Sequence, residues 1–345
     1  MTFIERLYYI GYSIKKKHKL KNRKQLPGRV ISIGNLTLGG TGKTPAAIAL
    51  AREAQRRGLK PCILTRGYRG TAKGPCFVSR GEGPLLDEKQ AGDEAVLMAL
   101  QVKGIPVVKG PDRYKAGMFA LQSLPPVHRP DLFLLDDGFQ HWGLFRDKDI
   151  LLVDGMNPFG NRRLLPAGPL REPASEVKRA DIIVITRAAH PADGQKSGFA
   201  ELTEEIRKYN RPAPLFSAEH RPSRFISVSG ETHPLAWAKD KTFFGFCGIG
   251  NPESFRETLA SAGIQLLGLR AFRDHYRYSR KDLEELLSES KKNNSAWIVT
   301  TEKDIMRLKH IDLPENLVAL AIEFHSEERF YQKVFDGMET ANPEK

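Results

Sequence analysis

Arg29-Val30-Ile31-Ser32-Ile33-Gly34-Asn35-Leu36-Thr37-Leu38-Gly39-Gly40-Thr41-Gly42-Lys43-Thr44 decides the fold. A short apolar run predicts a strand over 29–33, and a helical pattern over 44–57 follows the glycine-rich turn at once. In that context consecutive backbone N–H groups can turn inward around a phosphate, and the helix N-terminus adds its dipole. Gly39, Gly40, Thr41, Gly42, Lys43 and Thr44 are thus read as a phosphate-binding P-loop. Lys43 would reach the β and γ oxygens of a nucleotide, and the Thr44 hydroxyl would serve Mg²⁺. The first glycine of the general pattern falls at Thr37, so the entry to the loop differs from the common form.

Working outward, apolar runs at 61–65, 105–108, 131–135, 149–153 and 181–185 read as strands, with helices over 93–101 and 112–121 between them. Strands alternating with helices predict a mostly parallel sheet covered by helices. The pattern turns irregular around 221–241, where Pro222, Gly230 and Pro234 interrupt short strands. A second strand–helix series then starts at Thr242 and includes strands at 265–269, 296–300 and 317–322. The expected architecture is α/β: a P-loop NTPase-like domain over 1–222 and a smaller α/β domain over 223–345, joined by a short β-rich linker.

A nucleotide-binding P-loop needs a carboxylate for its metal at the end of a neighbouring strand. Asp131-Leu132-Phe133-Leu134-Leu135-Asp136-Asp137-Gly138 supplies two. Adjacent acids at the end of a buried strand repel unless a cation lies near, so Asp136 and Asp137 join Thr44 as candidate Mg²⁺ ligands.

The composition bounds the partners. Of 345 residues, 40% are hydrophobic and 28% charged, as in folded soluble domains, and the net charge of +13 points to an anionic partner. The three cysteines, Cys62, Cys76 and Cys247, form no metal or disulfide pattern, which suits a reducing compartment. No run approaches the ~20 apolar residues of a membrane span, and no secretory signal is expected. Phe3, Ile4, Leu7, Tyr8 and Ile14 are helix-spaced and lead into Lys15, Lys16, Lys17, Lys19, Lys21, Arg23 and Lys24. Two readings fit this segment: a helix lying in an anionic membrane interface, or an amphipathic helix packed on its own domain with a solvated basic tail.

The remaining motifs define an acceptor. Gly34-Asn35 leading to Gly39–Pro45, Thr65-Arg66-Gly67-Tyr68, Gly92-Asp93-Glu94 and Asp136-Asp137-Gly138-Phe139-Gln140-His141 stand in order along the chain. Pro166-Ala167-Gly168-Pro169-Leu170-Arg171-Glu172-Pro173, Asp274-His275 and Thr301-Glu302-Lys303-Asp304 follow. Together they resemble the tetraacyldisaccharide 4'-kinase family over nearly the whole chain. The resemblance implies transfer of the ATP γ-phosphoryl group to the 4'-hydroxyl of tetraacyldisaccharide 1-phosphate in lipid A biosynthesis, with ATP and Mg²⁺. The glycolipid acceptor and an anionic membrane surface would be the partners. The implied location is the cytoplasmic face of the inner membrane, peripheral and without a transmembrane helix.

The resemblance also assigns Asp93 as the base, with His275 from the second domain oriented against it as a dyad. From residue context alone, Asp93 reads first as an N-cap or first-turn helix acid and His275 as a hydrogen-bonded loop histidine; the resemblance alone reverses both. Tyr68, Glu94, His141, Arg171 and Glu172 are supporting candidates. Arg69 and Ser279 depart from the residues frequent in the family. A rival reading is a P-loop ATPase switch acting on a polyanionic partner. No guanine-specificity motif follows the metal strand, and no nucleic-acid-binding signature is present, so nucleic acid is not an expected partner.

Overall fold

The computed structural model describes residues 2–187, 196–308 and 311–338. Two compact units emerge: Met1–Glu219 with Phe324–Lys345, and His220–Glu323.

The first unit opens with α1 (Phe3–Lys21), started by a capping box in which Thr2 and Glu5 exchange hydrogen bonds. It continues through β1 (Arg29–Gly34), α2 (Lys43–Arg56), β2 (Pro61–Thr65), β3 (Cys76–Ser79), α3 (Glu88–Ala91), α4 (Asp93–Gln101), β4 (Val107–Lys109) and α5 (Arg113–Ser123). After these come β5 (Leu132–Asp136), β6 (Lys148–Asp154), β7 (Ile182–Thr186), α6 (Lys196–Tyr209) and β8 (Leu215–Ser227). The sheet runs β8-β7-β6-β1-β5-β2-β4-β3. Among the described residues of this unit, only β3 is antiparallel to its neighbour. The central strands are buried along their whole length, as a parallel sheet covered on both faces requires. β1 lies between β5 and β6, so its C-terminal end and that of β5 open side by side. That is where an open α/β sheet places its ligands.

The second unit takes up the far part of β8, then β9 (Thr232–Pro234), β10 (Thr242–Cys247), α7 (Pro252–Ser261), β11 (Gln265–Ala271), α8 (Arg280–Lys292), β12 (Trp297–Thr301), α9 (Glu302–Arg307) and β13 (Leu317–Ser326). Its order is β11-β10-β12-β13, all parallel, with β9 antiparallel on β8.

Two expectations are corrected. The stretch around Pro222 is not a set of broken short strands: β8 runs through it unbroken. Its ladder with β7 ends at Ala218 and its ladder with β9 starts at Arg224, so the proline falls where neither requires an N–H. Nor does everything after residue 222 belong to the second unit, because α10 (Glu328–Phe335) returns to the first. There Phe330 packs edge-on to Phe216, the Arg57 guanidinium lies over Phe335, and Lys148 Nζ donates to the carbonyls of Lys333, Val334 and Asp336 at 2.8, 2.9 and 3.0 Å.

α1 has two faces. Glu5, Tyr8, Tyr12 and Lys16, at helical spacing, bond respectively to Arg163, the Arg171 carbonyl, Glu172 and Glu176. The opposite face leaves Phe3 75%, Ile4 58%, Leu7 54%, Ile10 54% and Ile14 66% exposed. No helix among the described residues is long and apolar enough to cross a membrane.

Candidate active site

The phosphate loop leaves β1 at Gly34, where a Cβ would stand 2.7 Å from the Phe139 nitrogen, so only glycine admits the loop that follows β5. Asn35 is buried at the turn. Its side-chain oxygen accepts from Lys43 Nζ at 3.2 Å and its carbonyl accepts from Gln140 Nε2 at 2.8 Å. Gly39 and Gly42 have φ of 115° and 82°, and Gly42 precedes α2 with no side-chain cap. The first N–H groups of α2 therefore have no capping side chain and face the loop, as phosphate binding requires. Pairing of Leu38 N–H with the Pro169 carbonyl and of Arg171 N–H with the Leu36 carbonyl ties the loop to the 166–173 segment.

The neighbouring strand, β5, ends in Asp136, and Asp137 follows it. Asp136 is buried. Thr65 donates to its Oδ2 at 3.0 Å, while Oδ1 has no hydrogen-bond partner among the described residues. Burial, then the charges of Glu94 and Asp137, push its carboxyl up to about 6. Asp137 adopts φ 50° and turns toward the loop, 3.7 Å from Lys43 Nζ, and accepts from Arg171 Nη1 at 2.8 and 3.0 Å. Burial would raise Asp137, but Lys43 and Arg171 prevail and hold it below the usual carboxylate range. Burial lowers the Lys43 ammonium despite these acids. A buried carboxylate oxygen with no donor, a second acid beside it and the buried Thr44 hydroxyl are a donor set suited to a hard divalent cation.

The structure brings Asp93, Glu94 and Tyr68 onto one ridge. Gly92 has φ 91°, and a Cβ there would stand 2.4 Å from the Tyr68 carbonyl, so the α3–α4 junction lies directly against the 66–70 loop. Asp93 opens α4 and accepts from the Glu94 N–H at 2.9 Å. The half-exposed Tyr68 ring lies beneath the Arg69 guanidinium. His141 is pushed down to about 4, first by burial and then by Arg113 and Arg146. Glu172 is fully buried and accepts from Arg179 at 2.6 Å and from Tyr12 at 3.1 Å; burial raises its carboxyl even so. It joins α1 to the segment that carries Arg171. His275 lies in the second unit, just after β11, with φ 56°.

Three residues beyond the sequence reading also shape the site. Arg113 donates to the Gly110 and Asp136 carbonyls at 2.8 and 3.1 Å. A cation in the first turn of a helix opposes the dipole, and that anomaly at Arg113 was the available signal. Lys109, buried, donates to the Ala72 and Gln90 carbonyls at 2.8 and 2.7 Å and so clasps the segments beside Tyr68 and Asp93. Asn35 stood in a quoted motif without a role.

Comparison with known proteins agrees from end to end. The family described as Tetraacyldisaccharide-1-P 4'-kinase (LpxK) matches residues 2–339. The tetraacyldisaccharide 4'-kinase of Syntrophus aciditrophicus is 39% identical over 322 residues, covering 91% of this chain and 85% of that one. The one from Halothermothrix orenii is 36% identical over 318 residues, covering 87% and 80%. Among solved structures, LpxK from Aquifex aeolicus in complex with ATP superposes with a TM-score of 0.76 at 32% identity, covering 96% of both chains.

Proposed function

The chain belongs to the tetraacyldisaccharide-1-P 4'-kinase family, and from that premise we propose that it transfers the γ-phosphoryl group of ATP to the 4'-hydroxyl of tetraacyldisaccharide 1-phosphate in lipid A biosynthesis. The observation that carries this reading is the convergence of Lys43, Thr44, Asp136 and Asp137 at one end of the sheet, in a chain matched to the family over residues 2–339. The polyanion-directed ATPase switch is not favoured by a match of that extent.

ATP is the donor, its phosphates lying in the 39–44 loop with Lys43 on the β and γ oxygens. Thr44, Asp136 and Asp137 would hold Mg²⁺, which when bound neutralises charge on the β- and γ-phosphates. Asn35 and Asp137 restrain the Lys43 ammonium, and Arg171 fixes Asp137. Such restraint matters because phosphoryl transfer asks the protein mainly for positioning and for charge placed in advance. As the acceptor oxygen bonds to the γ-phosphorus and the bond to the ADP oxygen breaks, Asp93 takes the hydroxyl proton. His275 assists that base. Glu94 adds to the charge field at Asp136 and Lys43, while Tyr68, His141 and Glu172 support the acceptor side and its walls.

The enzyme works at the cytoplasmic face of the inner membrane. The exposed apolar face of α1, with Lys15, Lys17, Lys19 and Lys21 on the same helix, suits an anionic interface. Nucleic acid is not a partner in this reading.

The test is transfer of labelled γ-phosphate from ATP with Mg²⁺ to detergent-dispersed tetraacyldisaccharide 1-phosphate, in the wild type and in Lys43→Ala, Asp93→Asn and His275→Ala. Labelled lipid from the wild type is expected, with Asp93→Asn slower by roughly 10²- to 10⁴-fold, the usual contribution of a general base. ATP hydrolysis without labelled lipid would overturn the assignment.

A further inference from the structure

Within the second unit a buried polar chain ends on His275. Asp304 is fully buried, and both of its carboxylate oxygens are saturated. Oδ2 accepts from the Gly248 N–H at 3.0 Å and from Thr301 Oγ1 at 2.7 Å; Oδ1 accepts from Tyr278 OH at 3.0 Å and from Arg307 Nη1 at 2.9 Å. Four donors fill the four acceptor directions that a carboxylate offers. The same Arg307 Nη1 donates to the Gly248 carbonyl at 2.9 Å, and Arg307 Nη2 reaches His275 Nδ1 at 3.1 Å.

Gly248 is the hub. A Cβ there would stand 2.8 Å from Tyr278 OH and 3.1 Å from Asp304 Oδ1, so the network closes only around glycine. The Gly248 carbonyl also accepts the backbone N–H of His275 at 3.1 Å. His275 is a non-glycine residue in the left-handed region at φ 56°, a conformation costing on the order of 1 kcal/mol. Its backbone is thus held in a disfavoured state by the same residue that anchors the arginine beside its ring.

We propose that Arg307, held by Asp304, is a positioning residue that fixes His275 as the tautomer with hydrogen on Nε2. A guanidinium has only donors. The nitrogen it approaches must offer a lone pair, so in the neutral ring Nδ1 is the acceptor and Nε2 carries the hydrogen. The other tautomer would aim hydrogen at hydrogen across 3.1 Å. The Asp274 carboxylate stands 4.0 Å from Nε2. Resting on the role proposed above for His275, this makes the ring a hydrogen-bond donor to a carboxylate rather than the acceptor of its proton. A donor of that kind orients a catalytic carboxylate and leaves its other lone pairs for the substrate hydroxyl.

The test is nitrogen NMR on the full-length protein labelled at histidine, with the His275 signals assigned by their loss in His275→Gln. The wild type is expected to show a pyridine-type Nδ1 and a protonated Nε2. Removing Arg307 alone leaves a buried charge unpaired, so Asp304→Asn/Arg307→Met, which removes both charges, is the comparison. In that variant the two tautomers should average, and kcat should fall on the order of 10- to 100-fold with KM for ATP little changed, as loss of orientation predicts. A protonated Nδ1 in the wild type overturns the proposal whether or not the variant folds. So does a variant ring indistinguishable from the wild type. Full activity in His275→Gln would remove the catalytic role of His275 while leaving the tautomer result standing.

Discussion

Asp136→Asn should make the nucleotide-free protein more stable while abolishing its activity. The Asp136 carboxyl is buried among other acids and pushed up from 3.8 to about 6. That rise of roughly two pH units, at about 1.4 kcal/mol each, corresponds to on the order of 3 kcal/mol of destabilisation when the group is ionised. Below the ordinary value both folded and unfolded chains carry the proton, and the group has no effect. Between 3.8 and about 6 the unfolded chain ionises first, so stability falls as pH rises; above about 6 the full penalty is present.

Asparagine keeps an oxygen for the Thr65 hydroxyl and carries no charge. The advantage of the variant should therefore be near zero at pH 3.5 and reach roughly 3 kcal/mol by pH 7.5. Urea unfolding across that range with a metal chelator present measures it, and added Mg²⁺ with ATP in place of the chelator should narrow the gap by stabilising the wild type more than the variant. A variant less stable than the wild type at pH 7.5, or a difference that does not change with pH, would refute the reasoning.

Replacing Leu7, Ile10 and Ile14 together by serine strips the exposed face of α1 while leaving Tyr8 and Tyr12 on their partners. At about 1.5 kcal/mol per buried aliphatic side chain, binding to anionic vesicles should drop by roughly 100-fold or more, with turnover of detergent-dispersed substrate retained. Undiminished vesicle binding would count against the membrane role. Lys148→Met deprives three carbonyls at the end of α10 of their ammonium donor. A loss of about 1–3 kcal/mol is expected, with faster hydrogen exchange confined to α10, and an unchanged exchange pattern would show that the contact carries no stability.

What was legible in the sequence was local. The strand, glycine turn and helix of the phosphate loop lie within 28 contiguous residues, 29–56, and the acid pair closes the next-door strand. Strand–helix periodicity likewise marked β5, β6, β7, β10 and β12 to within a residue or two. The supports of the site were not legible, because they join residues far apart in the chain. Tyr12 meets Glu172 and Gln140 meets Asn35 across separations of 160 and 105 residues. Lys109 simply followed the strand expected over 105–108, and only the fold shows its ammonium buried against two carbonyls. The return of α10 was hidden for the same reason. An amphipathic helix announces that it covers something, and its periodicity does not say what.

That return sets a schedule for synthesis. Translation delivers residues 220–323 before the segment that completes the first unit, so on the ribosome the later-encoded unit has all its parts earlier. Until Phe330 emerges, the nascent first unit lacks the buried ring that packs edge-on to Phe216. A chain stalled or clipped before residue 328 would carry a complete phosphate loop on an unfinished flank. Exposed aromatic surface of that kind is what chaperones and proteases recognise. Survival of the kinase therefore depends on α10 being made, although none of the site residues named above lies in it.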